Sequence, residues 1–313
     1  MTFTQLEYAI AVDTHKHFAK AAEVCFVTQP TLSMQIQKLE DELGILLFDR
    51  SKQPVITTEN GKIIIEQARK IIAEKEVLQD LVSFKKGIIA GELKLGIIPT
   101  LAPYLLPLFI NSFTQNHAQI NLHVYELTTE QIIDKLKNGT LDVGILVTPL
   151  QEQGITEIPL FYEEMMVYVS PQNAVFKKNY LLPKDINPSQ LWLLEEGHCF
   201  RSQIINLCSL REANLQNGHF SYEASSLETL KRMVNLYNGI TILPELAVLD
   251  LDSKQKKQVK RFKSPVPVRE VSLAVHRNFA KKRMIDVLQN EILNALPKQV
   301  KQTKKTQIVS INV

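Results

Sequence analysis

Up to about residue 86 the apolar positions of this chain recur at helical spacing; from residue 91 onward they fall in short strands that alternate with helices. Residues 4–13 place Leu6, Ala9 and Ile10 on one face of a short amphipathic helix. Phe18 to Val24 predicts a second helix, rich in small residues that allow close packing. A third starts at Thr28-Gln29-Pro30-Thr31: Thr28 suits an N-cap, and Pro30 suits a first turn, where its missing N–H costs nothing. Leu32, Ile36, Leu39 and Leu43 give that helix its buried stripe, and Gly44 stops it. Residues 59–86 form one long run with Ile63, Ile65, Ala68, Ile71, Ile72, Val77, Leu78 and Leu81 along a seam. At 1.5 Å per residue this is a helix of about 40 Å. A helix so long with one apolar seam is expected to pair with a second copy. Lys85-Lys86-Gly87 is expected to end it.

Beyond Gly91 the expected order is strand 93–98, helix 104–116, strand 120–127, helix 129–137 and a fully buried strand 141–147. Such alternation predicts a parallel, helix-covered sheet. Met165–Val169 and Leu191–Leu194 continue into a second α/β lobe. Val271–His276 and a helix near Arg283–Leu293 return to the first. From Pro297 onward, Lys298, Lys301, Lys304 and Lys305 stand without an acid, so the tail 297–313 is expected to be basic and disordered.

Composition narrows the class. The chain has 313 residues, 45% hydrophobic and 22% charged, as in an ordinary globular protein of about two domains. Met1 to Asp13 has two acids and no base, unlike a signal peptide, and no apolar run reaches the roughly 20 residues of a membrane helix. A cytoplasmic protein that does not engage membrane is the expectation. Three cysteines are too few for a secreted disulfide framework, and without a Cys-x-x-Cys no structural zinc site is expected. Net charge is only +3, and residues 1–60 are acidic, with five basic against eight acidic side chains. Bulk charge therefore gives no support to nucleic-acid binding, and the case must come from local placement.

That placement is in the first three helices. Two helices joined by a tight turn, the second opening with small polar groups, form a helix-turn-helix, whose second helix meets base edges and phosphates with its N-terminal residues. Here those are Thr28, Gln29, Pro30, Thr31, Ser33 and Gln35. The stretches Ala19-Lys20-Ala21-Ala22, Thr28 to Ser33, Ile36-Gln37-Lys38-Leu39-Glu40 and Leu43 to Arg50 closely resemble the winged helix-turn-helix of LysR-type transcriptional regulators. The resemblance covers residues 1–65. It implies that Arg50 and Lys52 of the wing touch phosphates, and that Thr57 to Gly61 begins a linker helix. Met34 stands where many members carry a polar, basic or very small residue. The acidic run Glu40-Asp41-Glu42 falls at the far end of the recognition helix. The resemblance extends to an effector domain like a two-lobed periplasmic binding protein, with crossovers near residues 162 and 268. The expected fold class is thus α plus α/β. A DNA-binding domain spans 1–58 and a linker helix 59–88. Lobe I spans 89–162 and 269–296, and lobe II 163–268. Ligands in such folds bind between the lobes at strand ends such as Pro99-Thr100 and Thr128-Thr129.

Two of the three cysteines lie nine positions apart, in Gly197-His198-Cys199-Phe200-Arg201 and at Cys208. Cys25, at the end of the second helix, reads as a small buried apolar residue. A helix from about Ser202 puts Cys208 on its apolar face with Ile204 and Ile205. Cys199 then precedes the helix N-terminus, where the dipole and Arg201 favour a thiolate. Spacing alone favours two incidental cysteines. Leu194-Glu195-Glu196-Gly197-His198-Cys199, Arg201 and Gln203 with Cys208, together with Ser226 to Leu230 and Gly239 to Pro244, resemble the peroxide-sensing members of the LysR family. That resemblance implies a peroxidatic Cys199 and a resolving Cys208, joined by a reversible disulfide. It implies that Thr100, Thr129 and His198 hold the peroxide and that Arg269 stabilises the thiolate. Ser202 stands where those members often carry an acid. It also implies a transcriptional activator on double-stranded DNA, a homodimer to homotetramer, RNA polymerase as partner, and glutaredoxin or thioredoxin as reductant. No metal, flavin or nucleotide cofactor is required. Two alternatives stay open: a LysR-type regulator that binds a small metabolite between the lobes, and a thiol peroxidase.

Overall fold

The computed structural model describes residues 1–85, 89–210 and 224–311. The chain divides into two compact units, Met1–Ile88 with Asn278–Lys282, and Ile89–Arg277 with Arg283–Val313.

The first unit opens with α1 (Phe3–His15), α2 (Phe18–Val24) and α3 (Gln29–Leu43). The two-stranded hairpin β1 (Phe48–Asp49) and β2 (Ile56–Thr57) follows, then α4 (Glu59–Lys85). Thr28 caps α3 by accepting from the Thr31 N–H, Pro30 lies in the first turn, and Gly44 closes the helix. The core joins Leu6, Ala9 and Val12 of α1 to Ala21 and Ala22 of α2 and Leu32, Ile36 and Leu39 of α3. Ile65 and Ala68, expected in a seam between two copies, are buried in this same core. The linker's first half is thus packed by its own chain, while Ile63 and Leu78 stay exposed. Two ion pairs fasten α4 to α1, Arg69–Asp13 at 2.9 Å and Lys75–Glu7 at 2.6 Å. Burial works against the Asp13 carboxylate, but hydrogen bonds from Lys16, Thr57 and Arg69 outweigh it and hold its pKa below the ordinary value. The stop expected at Lys86-Gly87 and the side chain of Leu81 lie outside the described residues.

Glu40 behaves differently from its acidic neighbours. It is buried, and its Oε1 accepts from the Leu47 and Phe48 amides at 2.7 and 3.2 Å. Its Oε2 accepts from Arg50 at 2.7 Å. The carboxylate ties the recognition helix to the first wing strand. Glu40→Ala leaves both amides without an acceptor, at roughly 1–3 kcal/mol each. Urea unfolding of the full chain should show this loss, with Glu40→Gln intermediate; a variant as stable as the parent would remove Glu40 from that role.

The second unit begins with β3 (Gly91–Ile97), α5 (Ala102–Asn116), β4 (Ile120–Glu126), α6 (Thr129–Lys137) and β5 (Val143–Thr148). β3 pairs in parallel with both β4 and β5. A Cβ on Gly144 would come within 2.4 Å of Ile132 Cγ2, so this glycine lets α6 sit close over the sheet. Then comes β6 (Ile155–Val169), much longer than the expected 165–169 because it runs through both lobes. Lobe II continues with β7 (Tyr180–Leu181), α7 (Cys199–Cys208), α8 (Leu227–Leu236), β8 (Ile240–Pro244), α9 (Glu245–Leu249), α10 (Ser253–Lys256) and β9 (Val259–Phe262). Next are β10 (Pro267–His276), α11 (Lys282–Ala295), α12 (Lys298–Gln302) and β11 (Gln307–Ile308). The strand order is β4-β3-β5-β10-β6-β9-β7, with β8 also on β6 and β11 on β10. β10 is antiparallel to β5 and to the first part of β6, whose last part pairs with β8 and β9. The two strands that pass between lobes are therefore β6 and β10.

Two expectations need correction. Leu191–Leu194 forms isolated bridges, Leu191 with Ile240 and Leu194 with Ala224, because the turns at Pro188–Gln190 and Gly197 leave it too short for a ladder. The tail 297–313 is folded through its described residues: α12 buries Val300, and β11 pairs in parallel with Pro267 and Val268. Its lysines suggested disorder; Val300, Ile308 and Val309 between them supply the apolar contacts that order it.

Candidate functional site

On the first unit, Thr28, Gln29, Pro30 and Thr31 are exposed at the start of α3, as a DNA-reading surface requires. Ser33 and Gln35 are half-buried. Gln35 accepts from Gln5 at 3.2 Å, and Ser33 accepts from Arg50 at 3.1 Å. Lys52 is exposed between the wing strands. Arg50, expected at phosphates with Lys52, has its guanidinium shared between Glu40 and Ser33 and 5.0 Å over the Phe18 ring. It positions the wing against α3. Cys25 is half-buried against the helical core, and burial, then the Glu7 charge, raise its pKa.

In the second unit α7 begins at Cys199 itself, with His198 as its N-cap, rather than at Ser202. Gly197, at φ +88°, makes the turn that aims the helix start inward. Cys199 is buried with a free thiol, and its sequence neighbours His198 and Phe200 are buried as well. Thr129, the first residue of α6, reaches the same place: its hydroxyl lies beside the Cys199 sulfur and favours the anion. No full hydrogen bond engages Thr129 Oγ1, which is buried. Arg269 of β10 supplies the positive charge and lies 5.0 Å over the Phe200 ring. Its Nη1 donates to Thr100 Oγ1 at 2.9 Å and its Nη2 to the Thr100 carbonyl at 3.3 Å, just past β3. Its Nε donates to Glu163 Oε1 of β6 at 2.6 Å. The expected Thr100, Thr129, Cys199 and Arg269 thus converge. His198 lies 3.6 Å from Glu195 across Nε2 and Oε1.

The electrostatics correct one expectation. Burial pushes the Cys199 pKa up, and Thr129, Arg269 and the amides at the helix start oppose that rise. Arg201, expected to activate the thiol, donates instead to the Leu194 carbonyl at 3.0 Å. Glu163 was not anticipated from the sequence. Burial raises its pKa, and Arg269 and the Leu246 amide pull it back. Its signal was faint: one of two adjacent acids, Glu163 and Glu164, in a run from Phe161 to Val169 that otherwise reads as strand.

Cys208, at the other end of α7, is free and half-buried, and burial takes its pKa from 9.0 to about 12. Nine residues of helix separate the two Cα atoms by about 13 Å. At pH 8 such a rise lowers the thiolate fraction by orders of magnitude. Native Cys208 should alkylate that much more slowly than in the urea-unfolded chain; equal rates would contradict its burial. The folded thiol keeps its proton where the unfolded one loses it. The stability this contributes is present below pH 9 and falls as pH rises from 9 toward 12.

Among the described residues no group of three or more His, Cys, Asp or Glu is arranged to hold a metal ion. No described helix is long and apolar enough to cross a membrane.

Comparison with known proteins gives the same division of the chain. Residues 3–62 match the profile of the bacterial regulatory helix-turn-helix protein, lysR family, and residues 86–296 that of the LysR substrate binding domain. The chain is 37% identical over 273 residues to a hydrogen peroxide-inducible genes activator of Haemophilus influenzae, spanning 87% of this chain and 90% of that one. It is 38% identical over 248 residues to the DNA-binding transcriptional dual regulator OxyR of Escherichia coli K12, spanning 79% and 80%. Full-length OxyR of Pseudomonas aeruginosa, a cysteine-to-aspartate variant, superposes with a TM-score of 0.76 at 37% identity over 94% of this chain and 98% of that one. A Corynebacterium glutamicum OxyR cysteine-to-serine mutant, bound to hydrogen peroxide, gives 0.61 at 26% identity over 94% and 92%.

Proposed function

The chain belongs to the LysR family of helix-turn-helix DNA-binding transcriptional regulators, and on that basis we propose that it senses hydrogen peroxide through Cys199 and Cys208 and converts their oxidation into altered transcription. One observation carries this reading: a buried thiol at a helix start meets an unpaired buried hydroxyl, Thr129, and a guanidinium, Arg269. A small polar molecule that both donates and accepts hydrogen bonds suits this site. Thr129 and Thr100 orient its two oxygens, with His198 at the helix cap beside them. Arg269 favours negative charge on sulfur and on the departing oxygen. A peroxide-bound relative and peroxide-responsive activators of similar sequence support the choice of ligand.

In the first step Cys199 sulfur attacks one peroxide oxygen and the O–O bond breaks. The departing oxygen takes a proton and leaves as water, giving a sulfenic acid. In the second, the Cys208 thiol displaces the sulfenic hydroxyl as a second water, and the disulfide closes. The bond needs Cα atoms within about 7 Å, so α7 must unwind. That movement is the signal passed to the DNA-binding unit. There Thr28, Gln29, Pro30, Thr31, Ser33, Gln35, Arg50 and Lys52 meet bases and phosphates. The regulator works as an activator in the cytoplasm, in dimers that pair into tetramers, engages RNA polymerase, and is reset by glutaredoxin or thioredoxin.

Adding one molar equivalent of hydrogen peroxide to the reduced protein tests this. The intact mass should fall by two hydrogens, peptide mapping should join Cys199 to Cys208, and the footprint on promoter DNA should change and then revert with dithiothreitol. Free thiols after peroxide, or an unchanged footprint, would refute it. A metabolite-responsive regulator predicts both.

A further inference from the structure

Cys199 and Cys208 stand at opposite ends of one helix, so how firmly α7 is held governs how readily an oxidised Cys199 reaches its partner. Phe200 and Ile204 are buried beneath it. Arg201 ties its first turn to the Leu194 carbonyl at 3.0 Å, and a second hold comes from the far end of the chain. Gln203 Nε2 donates to the Val309 carbonyl at 2.7 Å, and Asn206 Nδ2 donates to the Ser310 carbonyl at 3.1 Å. Both carbonyls belong to the segment that follows β11, and this segment is itself anchored. Thr306 Oγ1 donates to the Val266 carbonyl at 2.6 Å, β11 pairs with Pro267 and Val268, and the Val309 N–H donates to the Val268 carbonyl at 3.0 Å. The Val309 side chain is buried. Residue 269, next along that strand, is the arginine beside the reactive sulfur. The tail therefore ties the helix bearing both thiols to the strand bearing the cation beside Cys199.

We propose that residues 306–310 are a latch on the redox helix, in which Gln203 and Asn206 act as positioning residues that hold α7 wound and set the oxidation needed to form the Cys199–Cys208 bond. This rests on the peroxide-sensing reading. The latch acts on one of the two steps. Conversion of the Cys199 thiol and peroxide to sulfenic acid and water moves no backbone. Closure of the disulfide, with Cys208 supplying the proton that leaves with the sulfenic hydroxyl as water, brings the Cα atoms from about 13 Å to within about 7 Å. Gln203 and Asn206 lie between the two cysteines, so their bonds to the tail break as the helix opens. Loss of the latch therefore favours the disulfide and leaves the first oxidation alone.

The test uses the full-length parent, a chain ending at Lys305, and Asn206→Ala. Each is equilibrated in glutathione buffers for the dithiol–disulfide ratio. Each is also prepared with Cys208→Ser, so that the rate of sulfenic acid formation can be followed with a dimedone trap. Truncation should shift the equilibrium about tenfold toward disulfide, which is about 30 mV for this two-electron couple, with the trapping rate unchanged. Asn206→Ala should shift it the same way by less. Alanine is the better helix former, so an effect confined to α7 would move the equilibrium toward dithiol instead. An equilibrium unchanged in Asn206→Ala, or moved toward dithiol, overturns the latch even if the truncated chain fails to fold. A parent that forms disulfide while neither variant differs from it removes the latch alone; a parent whose Cys199 is never oxidised removes the sensing reading beneath it.

Discussion

Cys199→Ser should leave the protein folded, bound to DNA and deaf to peroxide, whereas Cys208→Ser should take the first oxidation and stop there. The asymmetry follows from where the sulfurs sit. Cys199 shares its site with Thr129 and Arg269, while the environment of Cys208 does nothing to its thiol but raise the pKa by burial. A serine hydroxyl at 199 fills nearly the same space and cannot reduce a peroxide, so the oxidised footprint should never appear at any peroxide dose. With serine at 208 the sulfenic acid at Cys199 has no resolving partner at the end of its helix. Dimedone should capture it in full-length protein, and excess peroxide should carry it on to the sulfinic acid, which dithiothreitol does not reverse. Peptide mass mapping after graded peroxide reads both outcomes. A peroxide-dependent footprint in Cys199→Ser would transfer sensing to another group, and a disulfide in Cys208→Ser would make Cys25 the partner.

The parts of this machine differ in how plainly the sequence announces them. The helix-turn-helix was legible because its signals are local: Thr28 and Pro30 mark a helix start and Gly44 an end, and the apolar stripe of α3 repeats at helical spacing. The two thiols stood out only through the resemblance, because their spacing alone favoured incidental cysteines. What sequence reading missed acts across distance. Glu163 is 106 residues from Arg269, and its role exists because β6 and β10 cross between the lobes side by side. Glu40 looked like one acid of a trio at the far end of the recognition helix until the wing amides came round to meet it. Arg201 stands two residues from Cys199 and looked like its cation, but a residue's neighbour along a helix start need not face the same way. The cation comes from residue 269 instead. The tail was misread because its four lysines dominate a compositional view, although burial of Val300 and Val309 decides whether the segment is ordered.

The Arg269–Glu163 pair joins stability to chemistry, and the two can be separated. Both side chains are fully buried, with Nε and Oε1 2.6 Å apart. Arg269→Ala leaves the carboxylate without its counter-charge in the interior, and breaking such a pair from one side costs about 3–5 kcal/mol. The deficit should depend on pH. Burial already raises the Glu163 pKa, and losing the arginine that opposes this raises it further. In the variant the carboxyl keeps its proton when folded at pH values where the unfolded chain has lost it. The variant should therefore approach the parent below the ordinary carboxyl value of 4.5 and fall away as pH rises through the elevated one. Urea midpoints between pH 4.5 and 8 would show the divergence, and parallel curves would mean that Glu163 is already neutral beside its arginine. Arg269→Met with Glu163→Leu removes both charges and fills the space, a replacement that is often neutral or stabilising. That double variant should recover most of the lost stability while Cys199 reacts with peroxide more slowly than in the parent, because burial of the thiol is then opposed by Thr129 and the helix amides without a cation. A stable double variant that reacts at the parental rate would reduce Arg269 to a strut between lobes and leave the helix start and Thr129 as the whole source of thiol activation.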